Sequence, residues 1–202
     1  MNTSGTERLG DGSHDGTDSN THCPTTLSRP LTAVALASLA AGLVSGGVLL
    51  LQRDPERADH VDGTAAWWPH AVLALITVAG LVLLRRRGVD LARSALAPIG
   101  TSAARRLAAT VRSVPHHPTA ALRLLGGLVP LAILVFGPFR TGQQVLAGLD
   151  PNFTVNAWGG PSYVGAMACH YLDGALMMAL AAWLLHLLLL RSHDIDSYSS
   201  TE

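Results

Sequence analysis

The chain has 202 residues, 49% of them hydrophobic and only 14% charged, and its formal net charge is zero. The apolar residues are concentrated in blocks, which excludes an ordinary soluble domain as the main reading and points to a membrane protein. Zero net charge hides a strong asymmetry between segments, and that asymmetry bears on topology. All fourteen basic residues are arginine, a bias in keeping with GC-rich bacterial coding. Two cysteines, Cys23 and Cys169, cannot build a disulfide framework.

Residues 1–30 hold no apolar run and are rich in Ser, Thr, Gly and Asp, so they predict a disordered tail. His14, His22 and Cys23 do not have the spacing of a closed metal site. The first span is expected at about residues 31–52. Within it Ser38, Gly42 and Gly46 recur every four residues, a stripe of small side chains that lets a neighbouring helix approach closely. Packing within this chain is the favoured use of that stripe, with a homodimer contact as the alternative.

Residues 53–64 carry Arg53 and Arg57 against Asp54, Glu56, Asp59 and Asp62. A second span follows at about 65–84, where Trp67 and Trp68 suit a membrane interface and Pro69 suits a first helical turn. Arg85, Arg86 and Arg87 end it. From Arg85 to Arg123 there are eight arginines and one acid, Asp90, and such a segment is retained on the cytoplasmic side. With four spans, both termini are then cytoplasmic.

Within this basic loop, 85–120, the residues Ile99, Ala103, Leu107, Val111 and Val114 follow helical spacing. Arg105, Arg106 and Arg112 flank them, as on an amphipathic helix lying against anionic lipid headgroups. No nucleic-acid module or aromatic platform is present. The third span is expected at about 121–139, where Pro130 removes one backbone donor and should bend the helix. Residues 140–162 are expected to form an outer loop with a turn at Asp150, Pro151 and Asn152. Its Asn152-Phe153-Thr154 matches a glycosylation sequon.

The fourth span is expected at about 165–190, followed by a cytoplasmic tail, 191–202. Here His170, Asp173, Gly174, Met177 and Ala181 share one stripe of the helix. An ionisable residue at membrane depth is costly and marks a functional site by default. His170 and Asp173, three apart, could interact on the helix surface, and a histidine held by a carboxylate suits a proton acceptor or a metal ligand.

The predicted fold is therefore an all-α integral membrane four-helix bundle in the cell membrane, with both ends inside. It gathers His70, Cys169, His170 and Asp173 toward the outer side. His70 and His170 could be axial ligands of a haem, or His70, His170 and Asp173 could hold a transition metal. No nucleophile elbow, phosphate loop, HExxH or CxxC occurs, so enzymatic activity is not the favoured reading. The favoured function is an accessory or interaction subunit that contacts the lipid bilayer and another membrane protein or itself. The alternative is a redox, metal-binding or transport component using the outer-side residues.

Overall fold

The computed structural model describes residues 26–65 and 67–189. The tail residues 1–25, with His14, His22 and Cys23, and the C-terminal 190–202 lie outside the described residues. Among the described residues seven α-helices run α1 Arg29–Leu51, α2 Trp67–Arg86, α3 Leu91–Leu96, α4 Thr101–Ser113, α5 Pro118–Ala147, α6 Pro151–Thr154 and α7 Tyr163–Leu188, with a short 3-10 turn at Ala97–Ile99. Among the described residues the only β pairing is an isolated antiparallel bridge between Leu27 and Gly100.

Four of these helices, α1, α2, α5 and α7, are long and apolar enough to cross a membrane. Their starts follow ordinary capping chemistry. Pro30 and Pro118 lie in the first turns of α1 and α5, where a missing backbone donor is harmless. The Ser162 side chain accepts from Gly165 N at the start of α7. The helices cover rather little of one another's apolar surface: Leu36, Val44, Leu75, Leu122, Val129 and Val164 are each at least 60% exposed. So much uncovered hydrocarbon on every long helix suits lipid as the surrounding solvent.

Helix α5 is the axis of the packing. It lies against α1 on one side and α7 on the other, while α2 joins through a thinner contact with α7. The α1 contact depends on the small-residue stripe. A methyl group on Gly42 would overlap the carbonyl oxygen of Phe139, one on Gly46 that of Gln143, and one on Gly142 of α5 that of Leu39. Two backbones this close exchange polar contacts as well. Ser38 Oγ donates to the Val135 carbonyl at 2.6 Å, and Gln143 Nε2 donates to Ser45 Oγ at 3.1 Å.

Several boundaries differ from the sequence reading. Helix α5 does not stop at Phe139 but continues to Ala147, so eight residues expected in the outer loop are helical. They stay helical because Arg140, Gln143 and Gln144 are good helix formers and because Gln143 finds partners in Arg140 and Ser45. The helix runs unbroken through Pro130 and Pro138. The second span starts at Trp67 and reaches Arg86, two residues further along than expected at each end.

The connections gather at two opposite ends. At one end the chain before α1 meets the start of α4: Ser28 N donates to Ile99 O and Thr101 N to Thr26 O. The basic segment and the last turn of α7 lie at this same end, joined by Arg106. At the other end residues 52–65 are stitched to 148–162. Asn152 Oδ1 accepts from Ala58 N, and its Nδ2 donates to the carbonyls of Asp54 and Glu56. Asn156 likewise bridges Val61 N and Asp59 O, and His60 Nδ1 lies 2.9 Å from Val155 O. Thus α6 and its flanks form a cap tied to the α1–α2 connection.

Candidate functional site

Under this cap, α2 and α7 are joined by a histidine–carboxylate hydrogen bond. His70 Nε2 lies 3.1 Å from Asp173 Oδ2. A carboxylate has only acceptors to offer, so the ring nitrogen is the donor. His70 is the one buried residue of α2, only 6% exposed, and its ring meets Trp158 of the cap edge-on at a centroid distance of 5.2 Å. Asp173 thus makes its hydrogen bond across helices, 103 residues away in sequence, while His170, one turn before it on α7, stays within its electrostatic reach.

Asp173 also borders a cleft of about 200 Å³ between α5 and α7. Ile133, Phe136, Gly137, Arg140, Thr141 and Gln144 contribute from α5, and His170, Asp173, Gly174, Met177 and Met178 from α7. These two sets follow from helical periodicity. Ile133, Gly137, Arg140 and Gln144 recur at intervals of four, three and four, and His170, Asp173, Gly174 and Met177 at three, one and three, so each set is one stripe.

Because the two helices are antiparallel, both stripes are polar at the capped end and apolar away from it. Gln144, Arg140, His170 and Asp173 are nearest the cap, while Ile133, Met177 and Met178 are deepest. Arg140 donates to Gln143 Oε1 at 2.6 Å and lies 5.6 Å from the centroid of the Phe153 ring in the cap. His170 is within electrostatic reach of Arg140, Asp173 and His70.

Of the other residues singled out from sequence, Cys169 is 2% exposed. It faces Gly159 of the cap, where even a methyl group would crowd its sulfur, and it does not border the cleft. Ala181, on the same stripe as His170, is buried deeper along α7. His186 is far from the site, at the opposite end.

There Arg106 donates to His186 Nδ1 at 2.7 Å and to the carbonyls of His186 and Leu189 at 2.7 and 2.9 Å. A guanidinium can only donate, so Nδ1 is the acceptor and the ring proton sits on Nε2. Arg106 is 9% exposed and satisfies carbonyls that the end of a helix leaves open. Placing it with Arg105 and Arg112 on a lipid-facing surface is therefore corrected. Those two are exposed, whereas Arg106 is turned inward by about 100° of helical rotation from Arg105.

Comparison with protein-family models, with curated proteins and with solved structures finds no match. The site is therefore read from its own geometry. Among the described residues no three His, Cys, Asp or Glu side chains stand together where they could hold a metal ion. His70, the proposed axial or metal ligand, spends one ring nitrogen on Asp173. What the arrangement offers is a small graded cleft with a cationic and amide-bearing mouth, walled by an inter-helix histidine–carboxylate pair. Arg140 and Gln144 did not stand out in the sequence, although their spacing from Ile133 and Gly137 was the available signal.

Proposed function

We propose that this chain is a multi-pass protein of the cell membrane that binds a small molecule in the cleft between α5 and α7, beneath the cap formed by 148–162. The single observation that carries this reading is the cleft itself. Polar groups converge on a concave site at one end of otherwise apolar helices, and ionisable residues at such a depth are costly to keep without use. The His70–Asp173 contact supports the same reading, because it ties the thinly packed α2 to the cleft wall.

The basic end, with the arginines of 85–123, faces the cytoplasm in this reading, and the capped end faces outward. A ligand therefore enters from the outer side or from the outer half of the bilayer.

A second reading, an accessory subunit of a larger membrane complex, is favoured by α2. Apart from His70 none of its residues is buried, and Trp68 and Leu75 are 77% and 70% exposed. Native mass spectrometry after extraction in a mild detergent separates the two. The binding reading expects a small molecule of fixed mass on the wild-type chain that is lost from the Gly174→Leu variant. A chain that carries no such molecule and elutes in fixed ratio with another membrane protein would overturn it in favour of the accessory reading.

A further inference from the structure

We infer that the occupant of the α5–α7 cleft is an anionic amphiphile, a carboxylate or phosphate headgroup on a hydrocarbon chain. This rests on the cleft being the working site and adds the chemical class of its ligand.

Three observations converge on that class. The first is charge. Asp173 is held by His70, and among the described residues no carboxylate lies within salt-bridge distance of Arg140. Its one polar partner there is the neutral amide of Gln143. A guanidinium on a membrane helix with no counter-charge is expensive, and it has unused donors in the fork geometry that suits carboxylate and phosphate oxygens.

The second is Gln144, one turn further toward the cap. The residue is 4% exposed and borders the cleft, yet its side-chain amide has no hydrogen-bond partner among the described residues. The amide opens onto the cleft rather than being sealed from it, so its NH₂ group can donate to the same anionic headgroup.

The third is shape. From Gln144 down to Ile133 the wall runs about 16 Å along the helix and turns wholly apolar. At 200 Å³ the cleft is smaller than the roughly 300–1,000 Å³ of sites that engulf a drug-sized molecule. It holds a headgroup and the first part of a chain. Phe136 and Met177, at its apolar end, are both 57% exposed, so the remainder of the chain continues into the surrounding lipid. A methyl group on Gly174 would meet nothing within 4 Å, which marks the open space between headgroup and tail positions.

The test uses the full chain in nanodiscs of phosphatidylcholine, with radiolabelled palmitate as the probe and hexadecyl phosphate, hexadecanol and acetate as competitors. Saturable palmitate binding is expected. Hexadecyl phosphate should compete comparably, and hexadecanol and acetate at least about tenfold more weakly. Arg140→Gln should weaken palmitate binding about tenfold or more, Arg140→Lys less, and Gly174→Leu should abolish it while melting like the wild type.

Hexadecanol competing as well as palmitate, or undiminished affinity in Arg140→Gln, overturns the anionic class. Equal competition by acetate overturns the amphiphile. Both competition arms use the wild-type chain and so do not depend on any variant folding. If palmitate fails to bind but an uncharged molecule co-purifies and is lost in Gly174→Leu, the cleft remains a binding site and only the ligand class falls. If nothing binds or co-purifies, both fall.

Discussion

At the scale of single residues, the decisive contact is the one between His70 and Asp173. Removing the carboxylate takes away the acceptor at His70 Nε2 and removes polarity from the cleft wall. Asp173→Leu should therefore lower stability by about 1–2 kcal/mol, toward the low end of such losses because the Asp173 side chain is 36% exposed. By freeing α2 from the cleft wall it should also weaken retention of the bound molecule, an effect through packing and not through charge. His186→Leu, about 20 Å away along α7, should leave ligand retention unchanged. Thermal unfolding in detergent and native mass spectrometry on the two variants check this, and equal ligand retention by both would count against the site.

Both His70 and Asp173 stand out in the sequence, because an imidazole and a carboxylate inside apolar runs demand explanation. Their pairing does not. Periodicity reports neighbours on one helix, three or four residues apart, and is silent on which helix faces which.

At the scale of elements, the α1–α5 contact depends on the absence of side chains at particular positions. Gly42→Val and Gly46→Val each force a side chain into a backbone carbonyl of α5 and should cost about 1–3 kcal/mol or more. Gly47→Ala places its methyl 3.5 Å from Leu146 Cδ1, an ordinary contact, and should be neutral. Thermal melts of the three variants give the comparison, and a tolerated Gly42→Val would show that the helices are not this close.

The stripe was visible because glycine and serine at intervals of four stand out in an apolar helix. The length of α5 was not, because Arg140, Gln143 and Gln144 interrupt hydropathy without interrupting the helix. The inward turn of Arg106 was within reach of a helical wheel, which sets it apart from Arg105 and Arg112. Its acceptors, the carbonyls closing α7, are backbone atoms with no signature in side-chain identity.

At the scale of the whole molecule, the elements sort into a basic end and a capped, acid-flanked end. Reporter fusions at Arg57 and Gly100 should fall on opposite sides of the membrane, with Gly100 on the cytoplasmic side. Finding both on one side would contradict the order of crossings. This sorting was legible because arginine is so unevenly distributed, with eight residues between Arg85 and Arg123 against a single acid. The joining of the two connections at the capped end was not, since it runs through Asn152 and Asn156, whose amides could have served any turn.

That joining carries a chemical consequence. The Asn152 side chain spends both hydrogens of its nitrogen on the Asp54 and Glu56 carbonyls and its oxygen on Ala58 N. A sugar attached to that nitrogen would take one of the two donors and displace the segment it holds. The Asn152-Phe153-Thr154 acceptor sequence is thus already engaged in the folded chain, and a glycan found on it would mark molecules modified before the two capped-end segments had closed on each other.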